Sequence, residues 1–177
     1  MAAPPTIALL PDAGPLITLA YADALDLLLK PDWPVEIVDM VLHEVTRNQT
    51  PTSERIAQWV RENRIAVIET KIHRHYTQTI AASSPASPPR KSNLGEQAIQ
   101  EAMNDLSLSP GKAGVFLFED HKIARASFLL PDNCRKVSTR AYLLFLEDRG
   151  LIESAAETER RAILAGRSFS QLRFPPD

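Results

Sequence analysis

The chain has 177 residues, of which 44% are hydrophobic and 24% charged, and these values predict one globular domain spanning residues 1–177. The formal net charge of −2 excludes the strongly basic composition of many nucleic-acid-binding proteins, although a local basic patch remains compatible with an anionic partner. The single cysteine, Cys134, excludes an intramolecular disulfide bond. The sequence contains no run of about 20 apolar residues, so we expect a cytoplasmic protein with no membrane partner.

Short aliphatic runs alternate with amphipathic stretches from the start of the chain, which is typical of a parallel sheet covered by helices. In the first half the predicted strands cover 6–10, 35–39 and 65–69, and the predicted helices cover 22–30, 40–47 and 51–64. Asp12 follows the first strand directly, and the Gly-Pro pair behind it is interpreted as a turn. Pro31 ends the first predicted helix.

Residues 81–92 interrupt this pattern. Three prolines and four serines in this stretch exclude a helix or a central strand and predict a Pro/Ser-rich loop within the domain. Beyond it, helices are predicted over 93–106, 121–130, 140–152 and 155–166, and strands over 113–120 and 134–139. The order of elements predicts a three-layer α/β/α fold with a central, mainly parallel sheet of roughly five strands.

Four carboxylates fall at related places in this predicted fold. Asp12 and Asp120 follow strands at their carboxyl ends, the edge at which open α/β sheets bind ligands. Glu44 lies in the helix after the second strand, and Glu96 lies in the first turn of the helix after the Pro/Ser-rich loop. Four bare charges in one pocket would repel one another, whereas Mg²⁺ or Mn²⁺ takes oxygen ligands and neutralises them. The placement therefore predicts a divalent-metal site.

Each acid also has an ordinary structural interpretation. Asp12 and Asp120 both precede predicted helices and are suited to capping them. Glu96 would interact favourably with a helix dipole, and Glu44 would be a solvated helix residue. The joint placement of all four at one edge favours the metal site.

Five stretches resemble, in order, the motifs of PIN-domain nucleases: LLPDAGPLITLA, VLHEVTR, NLGEQAIQEA, VFLFEDHKIARA and VSTRAYLLFLEDRGLI. They are most similar to those of VapC-like toxins of bacterial type II toxin-antitoxin pairs, and the resemblance covers residues 7–152. It implies that Asp12, Glu44, Glu96 and Asp120 are the catalytic metal-binding acids. Thr139 matches a hydroxyl residue that supports such sites, although a threonine at this junction equally suits a helix cap.

Two departures from the family pattern bear on the site. The segment 70–92 is longer than the usual connection, which affects access of substrate. Glu119 precedes Asp120 where a Thr-x-Asp pattern is common, which leaves open which of the two acids holds metal.

The resemblance implies a ribonuclease that uses one or two Mg²⁺ or Mn²⁺ ions to activate a water for attack on an RNA phosphodiester bond. It also implies a toxin held in check by a small antitoxin protein, and a homodimer. The alternative is a PIN-like binding or regulatory module without catalytic activity. A phosphorylated receiver-like domain is disfavoured, because neither a paired acid cluster near the first strand nor a lysine after the last strand is evident.

Several basic residues lie near the acidic motifs. They are candidates for contacts with RNA phosphates, with scattered surface charge as the alternative: Arg47, Lys122, Arg125 and Arg140. His73 and His75 would lie on one side of an extended segment, but no third zinc ligand is near them in the sequence.

Overall fold

Five parallel strands carry the fold in the residues described by the structure, a computed structural model that covers 5–83, 93–119 and 130–168. The strands are β1 (Thr6–Pro11), β2 (Glu36–Val38), β3 (Ala66–Ile68), β4 (Lys112–Phe118) and β5 (Cys134–Ser138). Every pairing among them is parallel, and helices separate them along the chain. The predicted mixed α/β class is thus confirmed for the described residues.

The strands form two sheets, so the prediction of one sheet of roughly five strands is wrong. β1, β4 and β5 form a three-stranded sheet with β4 in the middle, and β2 and β3 form a two-stranded sheet. A single bridge joins the two sheets, between Leu9 and Val35, and the Leu9 N–H donates to the Pro34 carbonyl at 2.8 Å. Pro34 has no N–H to donate and β2 is only three residues long, which limits the ladder between β1 and β2.

Seven α-helices lie in the described parts of the chain. They are α1 (Ala13–Tyr21), α2 (Asp39–Thr46), α3 (Pro51–Glu62), α4 (Lys71–Ala82), α5 (Leu94–Ser107), α6 (Thr139–Asp148) and α7 (Ala155–Leu164). α7 packs against α1 and α6, α2, α4 and α5 pack together, and α3 contacts α1 and α2. The predicted helix over 121–130 lies outside the described residues except for its last position.

The first helix begins earlier than predicted. The structure places α1 directly after Asp12, where a turn was expected, and residues 25–29 of the predicted helix form a short 3-10 helix instead. Pro15 lies in the first turn of α1, where the missing backbone N–H breaks no helical hydrogen bond. Pro15, Leu16 and Leu19 are buried, and burial of the two leucines favours the helix.

Helix α4 occupies most of the stretch that was expected to be a long connection. The Thr70 side chain accepts a hydrogen bond from the His73 N–H and caps this helix. α4 ends at Ala82, so the predicted loop begins at Ser83 and its remaining residues, 84–92, lie outside the described part. His73 and His75 are two residues apart on this helix, so their side chains do not share a face. The expectation that both would lie on one side of an extended segment is therefore wrong.

Apolar side chains of both sheets and most helices form a single buried core. Its fully buried members include Leu9, Leu10, Leu16, Leu19, Ile37, Met40, Ile56, Ile99, Met103, Phe116 and Tyr142. Burial of each such side chain contributes about 1.5–3 kcal/mol, so this core fixes the strands and their ends. Within the residues the structure describes, no helix is both long and apolar enough to cross a membrane.

Candidate functional site

The carboxyl ends of β1, β4 and β5 meet at one edge of the three-stranded sheet. Pro11 pairs with Leu117, and Phe118 pairs with Ser138. The residues that follow these strands, Asp12, Glu119 and Thr139, therefore lie near one another. β2 is parallel to β1 across the Leu9–Val35 bridge. The helix α2, which contains Glu44, therefore begins at the carboxyl end of β2, on the same side as the carboxyl end of β1.

Asp12 is fixed by its backbone at the start of α1. Its N–H donates to the Leu117 carbonyl of β4 at 2.9 Å, and its φ of −76° and ψ of 175° continue the strand into the helix. Asp12 holds the N-cap position, but among the described residues its side chain makes no capping hydrogen bond. Its hydrogen bonds therefore do not support the interpretation of Asp12 as a simple cap.

The structure brings two of the predicted acids, Glu44 and Glu96, together at the first turn of α5. The Gly95 N–H donates a hydrogen bond to the Glu44 carboxylate, and Glu96 is close enough to act on that carboxylate electrostatically. A β-carbon at position 95 would lie 2.9 Å from Oε2 of Glu44 and 3.2 Å from its Oε1. Glycine at position 95 thus allows the side chain from α2 to contact the backbone of α5.

The surroundings of Glu44 disfavour its charged form. Burial raises the pKa of the Glu44 carboxyl above its ordinary value, and repulsion from Glu96 adds to the increase. The Arg47 cation and the Gly95 N–H act in the opposite direction without cancelling the effect of burial. Glu44 is therefore not a fully solvated helix residue, and a cation placed between Glu44 and Glu96 would stabilise both carboxylates.

Glu119 forms a buried ion pair and hydrogen bond inside the protein. Its Oε2 accepts hydrogen bonds from the Thr18 hydroxyl and from Nη2 of Arg167, both at 2.8 Å, and its side chain is 5% exposed. This buried ion pair directs the carboxylate toward α1. Of the two adjacent acids, Glu119 is thus committed to an internal contact, while Asp120 lies outside the described residues.

Ser138, and not Thr139, caps the helix after β5. The Ser138 hydroxyl accepts a hydrogen bond from the Ala141 N–H at 3.1 Å. Thr139 is 1% exposed, and its hydroxyl has no hydrogen-bond partner within the described ranges. The interpretation of Thr139 as a cap is wrong, because its position one residue inside the helix places its hydroxyl away from the orphan N–H groups. Its predicted support of the acids remains a prediction.

The predicted phosphate contacts differ in their surroundings. Arg47 is exposed at the end of α2 and acts electrostatically on Glu44. Arg140 lies 3.9 Å from the Glu159 carboxylate across the α6–α7 contact. Lys122 and Arg125 lie outside the described residues. Arg47 is thus the predicted cation that the structure places beside an acid of the site.

Two further carboxylates, which were not predicted, anchor the start of α4. Asp39 accepts hydrogen bonds from the backbone N–H and the hydroxyl of Thr70, both at 2.7 Å, and lies 3.3 Å from Nδ1 of His73. Glu101 of α5 accepts from the N–H of Lys71 at 2.9 Å and of Ile72 at 3.3 Å. Both acids lie at positions typical of helix surfaces, so no local sequence signal marks these contacts.

Among the residues described here, no three side chains of His, Cys, Asp or Glu form a group that could hold a metal ion. The described part of the predicted set is the Glu44–Glu96 pair together with Asp12 at the neighbouring strand end. Carboxylate oxygens of this kind suit a hard divalent cation such as Mg²⁺ or Mn²⁺.

Comparison with known proteins gives matches among solved structures. No family model and no curated protein matches the chain. Among solved structures, the chain is similar to the PIN domain of T. brucei RRP44, with a TM-score of 0.48 and 15% identity over 84% of this chain and 82% of that chain. At this level of likeness the comparison does not assign the chain to a family.

Proposed function

We propose that the protein is a Mg²⁺- or Mn²⁺-dependent endoribonuclease with Asp12, Glu44, Glu96 and Asp120 as its metal-binding acids. The observation that carries the proposal is the contact between the Glu44 carboxylate and the first turn of α5, which bears Glu96. Two acids side by side, one of them with a raised pKa, are unfavourable unless a cation accompanies them. Carboxylate oxygens and a position at the carboxyl edge of parallel strands both fit a divalent-metal site.

A bound Mg²⁺ or Mn²⁺ would supply an activated water and neutralise charge on the phosphoryl oxygens. The chain supplies the geometry. The hydrogen bond of the Asp12 N–H to β4 fixes the first acid, and the Gly95 N–H holds the Glu44 carboxylate in its orientation. Arg47 is exposed beside Glu44, where its guanidinium would contact a phosphate of the substrate.

The RNA substrate and the biological role in this proposal rest on the sequence resemblance. The order of the five motifs that resemble VapC-like toxins supports a cytoplasmic toxin, with a small antitoxin protein as its inhibitor and a second copy of the chain as a partner. The competing function is a catalytically inactive PIN-like binding or regulatory module. The two functions differ in whether the protein cleaves RNA, and cleavage that requires a divalent metal would favour the nuclease.

The decisive experiment measures cleavage of a mixed set of structured and single-stranded RNAs by the purified protein in Mn²⁺, Mg²⁺ or EDTA. Asp12→Asn, Glu44→Gln and Glu96→Gln remove one charge each from the proposed site. Glu62→Gln is the matched control, because Glu62 is an exposed acid on α3 whose described contact is a hydrogen bond from Gln58.

We expect cleavage that requires metal, is lost in all three site variants and persists in the control. Calorimetric titration with Mn²⁺ should show weakened binding in the same three variants. If the wild-type protein is folded but neither cleaves RNA nor binds Mn²⁺, the nuclease proposal is wrong and the binding-module function replaces it.

A further inference from the structure

A buried network joins Arg167, three residues beyond the end of α7, to the edge of the sheet at which Asp12 lies. Nη2 of Arg167 contacts Oε2 of Glu119 at 2.8 Å, and Nε of Arg167 donates to the Thr18 hydroxyl at 2.8 Å. That hydroxyl in turn donates to the same Glu119 oxygen at 2.8 Å. The Arg167 and Glu119 side chains are 10% and 5% exposed, so the network is shielded from solvent.

Within the described residues, only one of the two Glu119 carboxylate oxygens has hydrogen-bond partners. Its Oε2 receives both hydrogen bonds, whereas its Oε1 is buried with no partner among those residues. A buried carboxylate is stable in its charged form only with a close cation and hydrogen-bond donors. Arg167 supplies the cation, and its planar guanidinium contacts the carboxylate and Thr18 in a fixed relative geometry.

The same network encloses the backbone around Asp12. Arg167 Nη2 also lies 3.5 Å from the Gly14 carbonyl, two residues after Asp12. A β-carbon at Gly14 would lie 3.0 Å from the β-carbon of Glu119, so the first turn of α1 and the end of β4 are in close contact. The Asp12 N–H also donates a hydrogen bond to the carbonyl of Leu117, two residues before Glu119.

The backbone at Arg167 is itself well defined. Gly166 has a φ of +112°, and the Arg167 N–H donates to the Ala162 carbonyl at 2.9 Å, so the chain leaves α7 in a fixed direction. We propose that Arg167 is a positioning residue that, through Glu119, Thr18 and Gly14, holds Asp12 in the orientation needed for metal-dependent cleavage. This inference rests on the proposed nuclease function.

The test must separate positioning from stability, because loss of Arg167 alone leaves a buried charge without a partner. The informative variant is therefore Glu119→Met combined with Arg167→Met, which replaces the ion pair with apolar side chains of similar size. Arg167→Lys retains the charge without the planar guanidinium. Arg160→Met removes an exposed arginine of α7 that pairs with Glu157 and is the matched control.

Four quantities are measured in the full-length chain: kcat and KM for RNA cleavage in Mn²⁺, the urea midpoint of unfolding, and the hydrogen-exchange rate of the Asp12 amide in the absence of RNA. For the double variant we expect a wild-type urea midpoint, a kcat reduced by about 10²-fold and a KM that changes little. The Asp12 amide should exchange about tenfold faster than in the wild type. Arg167→Lys should show a smaller loss of kcat and a smaller increase in the Asp12 exchange rate than the double variant. Arg160→Met should match the wild type in both quantities.

A double variant with wild-type kcat and wild-type exchange at Asp12 would overturn the inference and leave the network a purely structural ion pair. If the double variant does not fold, the same two readouts in Arg167→Lys decide, and wild-type values there would also overturn it. Absence of cleavage by the wild-type protein contradicts the proposed function instead. In that case the exchange rate of Asp12 alone decides whether Arg167 positions this residue.

Discussion

The Glu44 carboxylate occupies the space in which a side chain at Gly95 would have to lie. The two residues come from different helices, α2 and α5, and the Gly95 N–H donates to this carboxylate. A β-carbon at position 95 would lie 2.9 Å from Oε2 of Glu44. The absence of a side chain at one position thus determines where the charge of another residue lies.

Gly95→Ala should reduce metal-dependent cleavage about tenfold or more without loss of stability. The new methyl group would displace the end of a flexible side chain, which requires little energy, and alanine favours a helix by about 0.5–1 kcal/mol over glycine. Cleavage in Mn²⁺ and urea unfolding of the same preparation check this. Gln97→Ala, at an exposed position in the same turn, is the control and should leave cleavage unchanged. Wild-type cleavage by Gly95→Ala would show that the position of Glu44 does not matter.

Glu44→Gln should make the metal-free protein more stable than the wild type at neutral pH. In the folded state the pKa of Glu44 is raised above its ordinary value of 4.5, so the folded state binds more protons than the unfolded state between the two pKa values. The wild type therefore loses stability as pH rises through this window, and a neutral glutamine does not. Urea unfolding in EDTA at several pH values measures the difference, which should vanish below about pH 4.

Mn²⁺ should reverse the order of stability of these two proteins. A cation bound at the site would stabilise the folded wild type by mass action, whereas Glu44→Gln lacks one of the charges that bind it. The measurement is the same unfolding series with Mn²⁺ in place of EDTA. Equal stabilisation of both proteins would show that Glu44 does not contribute to metal binding.

Loss of either acid that anchors α4 should loosen the start of that helix. Asp39→Ala removes the acceptor of the Thr70 N–H, and Glu101→Ala removes the acceptor of the Lys71 and Ile72 N–H groups. Each change should lower the free energy of unfolding by about 1–2 kcal/mol. Faster hydrogen exchange at residues 70–73 would locate the effect. Glu69→Ala, at an exposed neighbouring position, should change neither quantity.

Adjacent hydroxyl residues at the start of α6 should respond in opposite ways. Ser138→Ala removes the cap of the helix and should lower the free energy of unfolding by about 1 kcal/mol. Thr139→Val replaces a buried hydroxyl that has no partner in the described ranges, and should raise the free energy of unfolding by about 1 kcal/mol. Chemical denaturation of both variants checks the contrast. A loss of stability in Thr139→Val would indicate that this hydroxyl has a bonding partner.

The sequence predicted the elements whose signals are local. Alternating aliphatic runs located the five strands of the described residues, and periodic apolar residues that follow a proline located α3. Asp12 and Asp120 were placed at strand ends, Glu44 in the helix after the second strand and Glu96 in a first helical turn, and the structure brings Glu44 and Glu96 together. These signals depend on neighbours a few residues away and are visible without knowledge of tertiary contacts.

The features that sequence reasoning missed depend on contacts distant in the chain. The Gly-Pro pair is typical of a turn, yet burial of Leu16 and Leu19 stabilises a helix there. Arg167 lies 48 residues from Glu119 and follows the end of a charged helix, so no local pattern marks it as the partner of a buried acid. The division of the sheet likewise depends on where Pro34 meets β1, which periodicity does not reveal.

The division of the strands into two sheets has a consequence for the site. Asp12 follows β1, Glu44 follows β2, and only the Leu9–Val35 bridge joins these two strands through their backbones. The distance between Asp12 and Glu44 therefore depends on this bridge and on side-chain packing between the two sheets. A ligand bound by both Asp12 and Glu44 would hold the two sheets in a fixed relative position.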